Sequence, residues 1–313
     1  MSAARPGPGR LKYDRPSTMR RLLLRLAHAN VVISLHAAGL ACAALVLAGE
    51  RPSLSAIALP AAAMYVVYTF DKVARFDPQD EVNDPERSAF IRRFRRPLLV
   101  AGAIAAIGGG GAALAQGPAA ALLFALPLVA GVLYALPLLP RGAPTRRIKD
   151  VTGLKSIYVA AVWAATTGAL PLVVVGAPLE ASPALLLVGA WLFLRMFVNT
   201  VYFDLGDLEG DRASGTRTIP VALGFVGARR LLQGINLVAG VLLMAGAVIG
   251  WLPAAAYVVH ASTIYAALYL DRAAEGRDLG FLCDVVVDGE GVVIGVLSAV
   301  AVGLGLAAAL VLA

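Results

Sequence analysis

Long apolar runs decide what this chain can fold into. They cover 27–49, 53–70, 97–115, 118–139, 156–177, 183–203, 231–251, 253–270 and 292–313. A helix needs about 20 apolar residues to cross roughly 30 Å of bilayer hydrocarbon, so each run suffices for one crossing. Alternating segments of about ten residues, as in outer-membrane barrels, do not occur. Many of the 32 glycines lie inside the runs, where small side chains let helices pack closely. The chain is 59% hydrophobic and 15% charged, against about 45–50% and about 25% in soluble domains. The expected fold is all-α and integral to the membrane, with nine transmembrane helices in residues 26–313. A basic tail, 1–25, precedes them and contains no apolar stretch of the cleavable-signal kind.

Charge gives the orientation. The net charge is +7, and every Lys and Arg except Arg51 and Arg195 falls in the tail or in the loops after even-numbered runs. The positive-inside rule then predicts a cytoplasmic N-terminus and, with nine crossings, an external C-terminus. The expected location is a prokaryotic cell membrane. Anionic headgroups or an anionic substrate account for the basic residues, so membrane lipids are expected partners and nucleic acid is not. The sequence does not speak to oligomeric state. Cys42 and Cys283, the only cysteines, lie in or beside apolar runs, which argues against a disulfide framework.

The acidic residues share the basic side, apart from Glu50 and Glu180. Carboxylates contribute little to orientation, so their clustering needs a separate cause. Asp71, Asp77, Asp80 and Asp84 follow the second run; Asp204, Asp207, Glu209 and Asp211 follow the sixth. Both clusters contain D-x2-D-x3-D. On a helix that spacing keeps three carboxylates within a sector of roughly 60°. Converging carboxylates call for a cation, and Mg²⁺ takes oxygen ligands from one or two carboxylates plus substrate phosphates. Arg or Lys can take the remaining phosphate charge. A structural reading competes at Asp77-Pro78 and Asp84-Pro85, each of which looks like a helix N-cap followed by Pro.

The segment Asp204-x2-Asp207-x-Glu209-x-Asp211, followed by Gly215-x2-Thr218-x-Pro220, resembles the second aspartate motif of the UbiA superfamily of intramembrane prenyltransferases. Asp77-x2-Asp80-x3-Asp84 is similar to the first motif, with Phe76 where the family carries Asn. The loop from Tyr134 through Arg146, Arg147, Lys149 and Asp150 to Lys155 resembles the family's diphosphate-holding region. The resemblance implies a helical bundle around a central cavity with cytoplasmic cap loops. It implies Mg²⁺ held by Asp71, Asp77, Asp80, Asp204, Asp207 and Asp211. Arg87, Lys149, Lys155, Arg212, Asn199 and Tyr134 would bind the diphosphate. The implied reaction moves a prenyl group from a prenyl diphosphate to a lipophilic or aromatic acceptor. A membrane terpene cyclase with the same site is the alternative, and a non-enzymatic lipid-binding or transport protein is another.

Other polar residues fit a cavity or simple packing. Arg195 lies within the sixth run, where a charge is costly and is usually functional or paired; Asp284 is a candidate partner. Asp284 and Asp288 are expected on one helix face, as a structural pair. Tyr65, Tyr68, Tyr158, Trp163 and Tyr202 can stabilise a cation through their ring faces or serve as packing and interfacial anchors. His28, His36 and His260 lack metal-ligand spacing and read as packing or polar cavity residues.

Overall fold

A computed structural model of the chain describes residues 17–74, 84–136, 151, 153–180 and 182–312. The described residues are helical without strands. The helices are α1 (Thr18–His28), α2 (Val31–Leu47), α3 (Leu54–Thr69), α4 (Pro85–Ala115), α5 (Pro118–Ala135), α6 (Leu154–Ala164), α7 (Leu170–Val174), α8 (Pro183–Gly206), α9 (Leu208–Ser214), α10 (Ile219–Ile249), α11 (Ala255–Val259), α12 (Ala261–Arg272) and α13 (Glu290–Leu312). Short π-helical turns at Phe70–Ala74, Ala165–Ala169 and Leu282–Val287 adjoin α3, α6 and α13.

Local signals set the boundaries. Ser53 and Ser182 cap α3 and α8 by accepting from Ala56 N at 3.3 Å and Leu185 N at 3.2 Å, and Pro183 takes the first helical position. Asp84 caps α4 by accepting from Arg87 N at 2.9 Å, as the structural reading of Asp84-Pro85 expects. Within α4 the helix breaks at Phe94, three residues before Pro97, because Pro clashes with the preceding turn.

Among the described residues each apolar run contains helix. Among the described residues, six helical stretches are long and apolar enough to cross a membrane, and the pair α1 and α2, bent by 75°, makes a seventh if counted as one span. The fourth run supplies α5, Pro118–Ala135, and its remaining residues, 137–139, lie outside the described residues. The eighth is divided between α11 and α12.

Neighbour packing closes a circuit: α2 on α3, α3 on α5, α5 on α6, α6 on α8, α8 on α10, α10 on α12, α12 on α13 and α13 back on α2. Trp163, Trp191, Met64 and Met196 are buried in the largest core cluster. The α2–α13 contact is backbone to backbone: a Cβ on Gly295 would lie 2.9 Å from Gly39 Cα. Cys42 and Cys283 are both free thiols.

Candidate active site

One end of the bundle gathers the charged side chains. There α8 ends in Asp204, buried to 1% exposure. Lys155, at the start of α6, donates from Nζ to Asp204 Oδ1 at 2.7 Å, and the Ser156 hydroxyl donates to Oδ2 at 3.4 Å. Asp207 stands at the joint between α8 and α9, and Asp211 is one turn further, buried. Asp211 N donates to Asp207 O at 2.8 Å, so this motif forms one continuous turn.

The charge of this group is under-compensated. Burial, and then the neighbouring Asp211 and Asp204 carboxylates, push the Asp207 carboxyl up to about 6, against the pull of Lys155 and Arg87. Burial also raises Asp211, with Lys155 opposing it and Asp204 adding to it. Asp207 keeps contact with solvent at the rim, and screening tempers its shift. One lysine facing three carboxylates, all with oxygen donors, fits a hard divalent cation such as Mg²⁺.

A second group lies opposite. Arg87 on α4 pairs with Asp284 through Nη2 and with Asp84 at 3.5 Å through Nε. His28 Nε2 approaches the other Asp284 oxygen at 3.7 Å. Lys72 lies within electrostatic reach of Arg87, Asp284, Asp288 and Asp71, with its Nζ 5.1 Å from the Tyr68 ring centroid. Asp71 is exposed in the π-turn that ends α3. The two groups meet where α8 crosses the 282–287 turn: a Cβ at Gly206 would lie 3.2 Å from Cys283 Sγ.

Several expected residues have other partners. Arg195 pairs with Glu290 and Asn236, not with Asp284. Glu290 opens α13 level with Arg195, whereas Asp284 is taken by Arg87 and His28. Asp284 and Asp288 engage different neighbours, because the π-turn between them changes the register. Asn199 donates to Asp288 Oδ1 at 3.3 Å, and the Asp288 carbonyl meets His36 Nδ1 at 2.8 Å. Arg212 is exposed, 4.0 Å from Glu275. Tyr202 packs edge-on against Tyr269, and its hydroxyl donates to Tyr269 O at 3.4 Å. Tyr134 stacks on Tyr158 at 5.9 Å, and Tyr158 donates to Ala130 O at 2.9 Å. Asp77, Asp80 and Lys149 lie outside the described residues. Sequence reasoning does not single out Lys72 or Glu290 as site or partner residues, and reads His28 only as a packing or polar cavity residue. The only signal of Lys72 and Glu290 there is a charged side chain beside an apolar run.

The UbiA prenyltransferase family model matches residues 77–279. The chain belongs to the UbiA prenyltransferase family. It is an integral membrane protein with several long apolar helices. No curated protein matches it in sequence. Among solved structures it is similar to a UbiA homolog from Archaeoglobus fulgidus bound to GPP and Mg²⁺, with 15% identity and a TM-score of 0.60 over 90% of this chain and 98% of that one. The same homolog bound to DMAPP and Mg²⁺ gives 15% identity and a TM-score of 0.54, over 88% and 98%. An apo UbiA homolog from Aeropyrum pernix K1 gives 17% and 0.58, over 87% and 98%. At these identities the likeness is one of fold.

Proposed function

We propose that the protein is a Mg²⁺-dependent prenyltransferase that moves a prenyl group from a prenyl diphosphate to a lipophilic acceptor within the membrane. The observation that carries this reading is the Asp204–Asp207–Asp211 turn facing Lys155, a compact anionic site with one cation and room for more positive charge. Membership of a prenyltransferase family supports it, and the fold is that of homologs bound to prenyl diphosphates and Mg²⁺.

Asp204, Asp207 and Asp211 would hold Mg²⁺, with Asp71, Asp77 and Asp80 of the first cluster as the further ligands in this reading. Bound there, Mg²⁺ would neutralise phosphate oxygens and make diphosphate a better leaving group. Lys155 and Arg87 orient the diphosphate and stabilise the charge that accumulates on it as the allylic C–O bond breaks. Lys149, Tyr134 and Arg212 belong to the same binding region in this reading. The Tyr68 ring, at the membrane side of Lys72, faces the developing allylic cation. Asn199 supports the site through Asp288.

The proposed topology is nine crossings around a central cavity. Residues 26–313 form the enzyme domain of a prokaryotic cell membrane protein, with the N-terminus and cap loops cytoplasmic and the C-terminus outside. The decisive experiment incubates the purified protein with prenyl diphosphates, Mg²⁺ and a panel of lipophilic acceptors. Prenylated acceptor is expected from the wild type and not from Asp207→Asn/Asp211→Asn. A cyclic hydrocarbon formed without acceptor, or unchanged turnover by the double variant, would reject the reading.

A further inference from the structure

The first helix carries a surface that is exposed among the described residues. On α1, Met19, Leu22 and Leu26 are 64%, 51% and 37% exposed. Their spacing of three and then four residues makes one apolar stripe. Arg21 and Arg25, also exposed, form a second stripe about 110° away around the helix. On the opposite side His28 is buried against the Phe90 ring at 5.7 Å, and the guanidinium of the exposed Arg20 sits 5.2 Å from the Phe281 ring centroid. An exposed apolar stripe beside an exposed basic stripe is the signature of a helix that lies in a membrane surface.

The chain geometry agrees. α2 packs along α13, part of a span, and α1 is bent from α2 by 75°. That bend turns α1 towards the membrane plane. The corner is made by Asn30, whose φ of +60° is tolerated by Asn better than by most residues. Asn30 also donates from Nδ2 to Thr69 Oγ1 at 3.3 Å, which ties the corner to the end of α3.

We propose that α1 is a docking helix for anionic lipid headgroups, lying in the membrane surface at the rim of the charged site. The arginines meet headgroup phosphates while Met19, Leu22 and Leu26 enter the acyl boundary. His28, at the inner end of α1, places this helix 3.7 Å from the Asp284 that holds Arg87. The proposal concerns location and lipid preference, and it stands or falls separately from the prenyl-transfer reading.

The test uses the full chain in nanodiscs, with Cys42→Ala, Cys283→Ala and Met19→Cys labelled by an environment-sensitive fluorophore. Discs of phosphatidylcholine alone are compared with discs containing phosphatidylglycerol. A blue shift is expected with phosphatidylglycerol. Each of Arg21→Gln and Arg25→Gln should raise the phosphatidylglycerol content needed for half the shift, by about fivefold. Leu22→Ser/Leu26→Ser should leave the label in an aqueous environment in both discs. Equal emission in both lipids, or a shift that survives loss of both arginines, would overturn the proposal. So would a shift produced in phosphatidylcholine discs by inorganic phosphate, or energy transfer between labelled copies that accompanies the shift.

Discussion

Lys155 Nζ lies 2.7 Å from Asp204 Oδ1, where the start of α6 meets the end of α8. This contact ties the first turn of α6 to the second aspartate motif. Removing the cation leaves Asp204 buried with only the Ser156 hydroxyl as a described side-chain donor. Lys155→Met is therefore expected to lower turnover by about 100- to 1,000-fold, the usual cost of losing one stabilising donor in a site. Lys155→Arg keeps the charge but changes its geometry and should fall between. Steady-state turnover with a prenyl diphosphate donor measures both.

Asp207 predicts a pH dependence of stability in metal-free protein. Its folded carboxyl titrates near 6, against about 3.9 in an unfolded chain. Between those values the folded state binds more protons than the unfolded state, so this residue makes stability fall as pH rises through that window. Asp207→Asn lacks the effect. At neutral pH the variant should unfold at a higher temperature than metal-free wild type, and the advantage should disappear as pH falls below the unfolded value. Thermal unfolding of both proteins in chelator across that range reads the difference. An advantage independent of pH would contradict a carboxyl raised by burial and its acidic neighbours.

The apolar runs were legible because a bilayer demands continuous hydrophobicity, and each contains helix among the described residues. Crossing number was less legible: hydropathy does not register the bend between α1 and α2 or the break between α11 and α12. Asp204, Asp207 and Asp211 were readable because they share one local turn. The partner of Arg195 was not, since pairing across helices depends on axial register. Glu290 stands two residues before the last run as read from hydropathy, yet it is buried to 1% exposure against Arg195. The π-turn at Leu282–Val287 likewise sends Asp284 and Asp288 to different partners, and helix spacing alone does not reveal such turns.

The Arg195–Glu290 pair gives a third prediction. Both residues are 1% exposed, with Asn236 on the arginine and the Tyr269 hydroxyl donating to Glu290 Oε2 at 3.1 Å. Removing one member strands a buried charge, which costs about 3–5 kcal/mol. Arg195→Met should thus destabilise strongly, and Arg195→Met/Glu290→Met should recover most of the loss. Unfolding of the two single variants, the double variant and wild type closes the cycle. Additive losses in the double variant would contradict direct pairing.

The glycine contact between α2 and α13 gives the fourth. A Cβ on Gly39 would strike the backbone of Gly291, and one on Gly291 would strike the backbone of His36. Backbone cannot turn aside as a side chain can, so either substitution pushes the helices apart. Gly39→Ala and Gly291→Ala should each cost about 1–3 kcal/mol, the usual penalty for overpacking. The same shift should stretch the 2.8 Å contact between His36 Nδ1 and the Asp288 carbonyl, so turnover should fall with stability. Gly108→Ala on α4 is the control, because nothing lies within 4 Å of its added Cβ. It should be neutral or slightly stabilising, since Ala favours helix over Gly by about 1 kcal/mol. Thermal unfolding that ranks Gly39→Ala with Gly108→Ala would refute the backbone contact.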